Sequence, residues 1–271
     1  MTLKTIPLAI AYDFDGTLAP GYMQDHRFIP DLGMPRNEFW AEVNRIKARD
    51  NADPVLAYMG HMLHMAASAG VDVRRSDLRA WGADLPLFSG LPEWFFRITA
   101  FAADRGVDVR HYVISSGNTE IIEGTGLADA VDDVFASAFK YDENGRAVWP
   151  SRAVSYTNKT QFLFRINKGC HAAHDEVEIN RFVPENERPV PFENMAFIGD
   201  GDTDVPCMSM LNRMGGVSIA VYDKAKGDAV ARRLVRDGRA QAAVPADYEA
   251  GSLLEREIHN LVERVRTRRA A

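Results

Sequence analysis

The chain has 271 residues, 46% of them hydrophobic, and a formal net charge of −6. That length suits one large domain or a core carrying a smaller insert, and the apolar content excludes a disordered chain. The negative balance argues against a general attraction to nucleic acid or anionic membrane; no apolar run approaches a membrane span, and the two cysteines form no disulfide framework.

Residues Pro7 to Tyr12 read as a short, continuously apolar strand of the buried parallel kind, followed at once by "DFDGT". From Ala19 to Leu87 the patterns are helical, as in "RNEFWAEVNRIKARD" and "DPVLAYMGHMLHMAASAG", with no convincing strand. "SGLPEWFFRITAFAADRG" predicts a helix with Pro near its start and Gly past its end. "VDVRHYVISSGN" predicts a second strand, and "YDENGRAVW" a hairpin on an Asn-Gly turn. "TNKTQFLFRI" opens a further helical stretch, and "NMAFIGDGDTD" is a strand ending in carboxylates before the helix "VPCMSML". "GGVSIAVY" is another strand, "DAVARRLV" a helix and "AQAAVPADY" an edge strand; Leu254, Ile258, Leu261 and Val265 line one face of a last helix. Strands alternating with helices predict an α/β fold: a Rossmann-like, doubly wound parallel sheet. The helical block is far longer than an ordinary crossover. The expected division is a core of residues 1–18 and 89–271 with an inserted helical cap over 19–88.

Ligands bind open α/β sheets beyond the carboxyl ends of the strands. "DFDGT", "SSGN" and "GDGDTD" all end strands, and "TNK" precedes a helix, so the four segments can converge on one edge. Their chemistry is complementary. Clustered Asp oxygens suit a hard cation such as Mg²⁺, while hydroxyls, backbone N–H groups and a lysine suit phosphate. A carboxylate can also act as a nucleophile. A second one two residues on, as Asp15 is to Asp13, could protonate a leaving oxygen and then activate water.

"DFDGT", "ISSG", a downstream lysine and "GDGDTD", in that order, resemble the four motifs of the haloacid dehalogenase superfamily of hydrolases. The position of the insert resembles the helical cap of phosphoserine phosphatase-like members. The resemblance implies a Mg²⁺-dependent phosphomonoester hydrolase acting on a small phosphorylated metabolite through an aspartyl phosphate. It makes Asp13 the nucleophile, Asp15 the general acid/base, and Ser115 a donor to the phosphoryl group, with Gly16, Ser116 and Lys159 as further phosphate contacts. Metal contacts would come from Asp13, the Asp15 backbone carbonyl, Asp200, and Asp204 directly or through water. Lys159 precedes the helical stretch and so lies at the active edge; Lys168, nine residues on and about 13 Å along a continuing helix, is held in reserve.

Other readings of the same residues stand beside these. "DGDTD" resembles the start of a calcium loop, but Val205 and Leu211 occupy its glycine and glutamate positions. Cys170, His171 and His174 lack an evident fourth zinc ligand. His61, His64, Phe39, Trp40, Arg74 and Arg75 read first as packing or surface and second as substrate pocket; His64 and Arg75 are the positions where substitution is expected to alter substrate preference. Asp15 argues against true dehalogenases, whose first motif resembles "DxY". The alternatives carried are a phosphomutase, a phosphonate hydrolase, for which Lys47 is the insert's only lysine, and a non-catalytic metal-dependent binding protein. The glutamate expected after the first motif of phosphoserine phosphatase is not evident in "LAPGYMQDH". A cytoplasmic location is expected, since "PLAIA" is too short for a signal peptide.

Overall fold

A computed structural model describes residues 5–268; the outermost residues of the expected core, 1–4 and 269–271, lie outside the described residues. The first strand, β1 (Ile6–Tyr12), is followed by the helical block α1 (Phe28–Asp31), α2 (Arg36–Asp50), α3 (Pro54–Ser68) and α4 (Arg75–Ala83). Then come α5 (Glu93–Ala103), β2 (Val107–Asn118), α6 (Thr119–Gly124), β3 (Asp133–Tyr141) and β4 (Ala147–Arg152). The chain ends with α7 (Lys159–Lys168), α8 (Glu176–Asn180), β5 (Met195–Gly199), α9 (Val205–Arg213), β6 (Val217–Tyr222), α10 (Ala229–Arg236), β7 (Ala242–Pro245) and α11 (Leu253–Arg268).

The strands form one sheet in the order β4-β3-β2-β1-β5-β6-β7. All neighbours are parallel except β3 and β4, the expected hairpin, whose turn places Gly145 at φ +74°. This is the expected doubly wound, Rossmann-like α/β fold. Chain order reverses at β1, which places the topological switch point between β1 and β5.

Alternation along β1 explains why its whole run is apolar. Leu8, Ile10 and Tyr12 face a core shared with α5, α11 and the helical block, while Ala9 and Ala11 face a second core built on α7, α9 and α10. Leu254, Ile258, Leu261 and Val265 of α11 are all buried in the first core. Beneath the sheet edge, Trp94 Nε1 donates to Tyr12 Oη at 2.9 Å, and that hydroxyl meets His111 Nδ1 at 3.0 Å. Burial pushes His111 down to about 3, so it stays neutral.

The helical block leaves and rejoins the core side by side, with Phe88 N donating to Leu18 O at 3.0 Å. Its helix α4 crosses α6 at close range through paired glycines. A Cβ on Gly82 would meet Ile121 O at 2.0 Å, and one on Gly124 would meet Arg79 O at 1.9 Å. Among the described residues, no helix is long and apolar enough to cross a membrane.

Candidate active site

Sheet register brings the polar strand ends level. Tyr12 pairs with Val113 on one side and Ile198 on the other, and Asp13 N continues the ladder to Ile198 O at 2.8 Å. Asp13, Ser115 and Asp200 therefore emerge on one edge, within three residues of these level positions. The register of β2 against β3 shifts between Ser115 and Asn118, which turns Ser116 and Gly117 toward the same cleft.

Lys159 enters from the first turn of α7. The preceding turn is held by Asn158, whose side chain accepts from Ser155 N at 2.7 Å. The lysine is fully buried, and its Nζ donates to Asp13 Oδ1 at 2.7 Å and to Asp204 Oδ1 at 2.8 Å. Burial alone lowers a lysine, but the two carboxylates outweigh it and raise Lys159, so it remains charged. Lys168 lies elsewhere, donating to Ile179 O and Arg181 O.

Asp204 is held from both sides, since its Oδ2 accepts from Asp200 N at 3.1 Å and Gly201 N at 3.3 Å. Carboxylate oxygens of Asp13, Asp200 and Asp204 lie within 4.8 Å of one another, the one such group among the described residues. Cys170, His171 and His174 do not assemble; His171 Nδ1 instead meets Asp133 Oδ2 at 3.1 Å. Asp202, which also lines the cleft, makes an exposed pair with Arg233 at 2.8 Å.

Three carboxylates against one lysine leave a buried excess of negative charge. Burial, then the charges of neighbouring aspartates, raises both Asp13 and Asp200 above the ordinary carboxylate range. An all-oxygen donor set with this unbalanced charge fits a hard divalent cation. Gly16 makes the cluster possible: it sits at φ +81°, and a Cβ there would lie 2.2 Å from Asp200 Oδ2.

Asp15 faces the cleft with its Oδ1 accepting from Met23 N at 3.0 Å. Burial and the Asp13 charge raise it well above the usual range, favouring the protonated form. Ser115 Oγ accepts from Gly117 N at 2.9 Å, which leaves its proton free to donate.

The cleft above these groups measures about 470 Å³. Its second wall comes from the helical block, including Trp40, Val43, Asn44 and Lys47 of α2 and Val55 and Tyr58 of α3. His64 and Arg75, the positions where substitution is expected to alter substrate preference, do not line it. His64 stacks with His61 on another face, and Arg75 lies over the Tyr141 ring at 4.3 Å. Sequence reasoning also passed over the groups that tie the two walls together. Tyr58 Oη donates to Ser116 O at 2.7 Å, and Ser155 Oγ donates to Asp53 Oδ2 at 2.8 Å. Only Asp53 carried a local signal, as an N-cap before Pro54.

A family model described as haloacid dehalogenase-like hydrolase matches residues 10–209. An uncharacterized protein of Borreliella burgdorferi is 27% identical over 274 residues, covering 91% of this chain and 93% of its own. Among solved structures, a HAD family hydrolase from Salmonella enterica serovar Typhi superposes with a TM-score of 0.60 at 18% identity, over 88% of this chain and 68% of that one. A phosphoserine phosphatase solved as a phospho-aspartyl intermediate analogue gives 0.55 at 15% identity, over 94% and 98%. At these identities the structural likeness speaks to the fold.

Proposed function

Because the chain belongs to the haloacid dehalogenase-like hydrolase family, we propose that it is a Mg²⁺-dependent phosphatase that hydrolyses a small phosphorylated metabolite through an aspartyl phosphate on Asp13. The observation that carries this reading is the buried lysine bridge, in which Lys159 holds Asp13 and Asp204 together on the floor of the cleft. A neutral binding pocket has no need for such a concentration of charge at a strand end.

In this reading Lys159 fixes Asp13 by Oδ1, and the other carboxylate oxygen attacks phosphorus. The Ser115 hydroxyl and the backbone near Gly16 and Ser116 orient the phosphoryl oxygens. Asp15, favoured in its protonated form, gives its proton to the departing oxygen. The same group, now a carboxylate, takes a proton from the water that breaks the aspartyl phosphate, which returns both aspartates to their starting states. Mg²⁺ would be held by Asp13, Asp200 and the Asp15 backbone carbonyl, with Asp204 as a further or water-mediated contact, and it supplies neutralisation of phosphate charge. Residues 19–88 act as a cap that excludes water from the cleft and meets the leaving group; the paired crossings at Leu18 and Phe88 support that division. A reducing, cytoplasmic setting is part of the reading, with Cys170 and Cys207 both free.

The test is phosphate release from phenyl phosphate. Turnover is expected with Mg²⁺, loss after exhaustive chelation, and recovery on readdition. Full activity after chelation would overturn the metal assignment, and no release from a broad panel of phosphate monoesters would overturn the hydrolase.

A further inference from the structure

The wall of the cleft contributed by α2 is one helical stripe. Trp40, Val43, Asn44 and Lys47 follow the i, i+3, i+4, i+7 spacing, and all four line the cleft. Trp40 marks the end nearest the carboxylates, because it packs on Tyr22 at 5.1 Å and bonds Asp25. Tyr22 lines the cleft with Asp15 and Asp200, and the next residue, Met23, donates its N–H to Asp15 Oδ1 at 3.0 Å. Lys47 therefore lies at the other end, about 10 Å farther along the helix axis.

Its pairing sets it apart. The arginines of α2 are matched: Arg36 with Asp25, Arg45 with Glu42, and Arg49 with Asp50. Lys159 is committed to two carboxylates. Among the described residues, Lys47 is the one cleft-lining cation with no carboxylate partner; its Nζ meets only the amide oxygen of Asn44 at 3.1 Å. Beside it the cleft offers Trp40, Val43, Val55 and the Tyr58 ring, with polar Asn44, Ser155 and Tyr156 in the same lining. An ammonium without a carboxylate partner in the wall of such a cleft is a recognition element for an anion.

We propose that Lys47 binds a second anionic group on the substrate, so that the preferred substrates are phosphate monoesters carrying a carboxylate or second phosphate beyond an apolar or planar spacer. This rests on the phosphatase reading for the reaction, while the recognition itself is tested by binding. A cleft of about 470 Å³ has room for such an extended molecule as well as the phosphoryl group.

The probes are benzylphosphonate, 4-carboxybenzylphosphonate and 1,4-xylylenediphosphonate, titrated calorimetrically into the full chain with Mg²⁺. Both doubly anionic ligands are expected to bind wild type about tenfold tighter than benzylphosphonate, an advantage that shrinks with added salt. Their relative strengths distinguish a carboxylate from a phosphate as the preferred terminal group. Lys47→Met should remove that advantage while changing benzylphosphonate binding less than twofold. Lys47→Glu should instead favour 4-(aminomethyl)benzylphosphonate. Equal wild-type affinity for all three probes, no binding of the doubly anionic pair, or an equal loss for every ligand in Lys47→Met would overturn the proposal. Phenyl phosphate hydrolysis by the same preparation reports on the hydrolase reading, so the two ideas fail separately.

Discussion

Asp13 and Gly16 show how much of the site depends on single atoms. Asp13→Asn keeps the size of the side chain and a partner for Lys159, so the fold should persist while the proposed nucleophile is lost. Turnover is expected to fall at least about 10³-fold with little change in melting temperature, measured on the same sample. Near-native turnover would remove Asp13 from the reaction. Gly16→Ala adds one carbon in a left-handed backbone, 2.2 Å from Asp200 Oδ2. Either the turn or Asp200 must shift, at a cost of about 1–3 kcal/mol. Weaker Mg²⁺ binding by calorimetry is the expected signature, with a smaller loss of stability if Asp200 is what moves.

Helix α3 joins the two walls of the cleft through its first turn. Asp53 Oδ1 accepts from Val55 N and Leu56 N and caps the helix, while Oδ2 accepts from Ser155 Oγ, four residues before Lys159. Asp53→Ala removes both the cap and the bridge. We expect a loss of about 1–2 kcal/mol, or about 2–8 °C in melting temperature, and a raised KM for phosphate esters. An unchanged KM would make the contact purely structural. Helices α2 and α3 were legible from their apolar periodicity, and their bounds match the predicted patterns. Which side of each helix faces the cleft was not. His64 and Trp40 carry similar local signals, and only packing assigns one to a remote surface and the other to the cleft wall.

At the scale of the molecule, the buried negative charge at the switch point couples stability to pH and metal. Asp13 and Asp200 bind protons more tightly folded than unfolded, their folded values raised to about 6 and about 8 from 3.8. Between those limits the native state holds more protons than the unfolded one, so metal-free stability falls as pH rises. Lys159, raised from an already high value, titrates well above this window and does not oppose the trend. In chelator, melting temperature should drop between pH 5 and pH 8.5 by the equivalent of at least about 2 kcal/mol, roughly 4–8 °C. Mg²⁺ should restore more at pH 8.5 than at pH 5, and Asp200→Asn should flatten the slope. A metal-free protein equally stable at both pH values, with no added slope relative to Asp200→Asn, would contradict the charge excess.

Local pattern was enough for the alternation of strands and helices, the doubly wound sheet, and the polar ends at "DFDGT", "SSGN" and "GDGDTD". The reason is that backbone periodicity and strand-end chemistry are written in neighbouring residues, and parallel strands force those ends to one edge. The meeting of Lys159 with Asp13 and Asp204 spans 146 and 45 residues and required the register of three strands together with the entry angle of α7. The same holds for the glycine crossing of α4 on α6 and for the α2 stripe that carries Lys47. A helix advertises that it has an apolar face, but the partner of that face, and what a lysine beside it will meet, are decided only when separate segments close-pack.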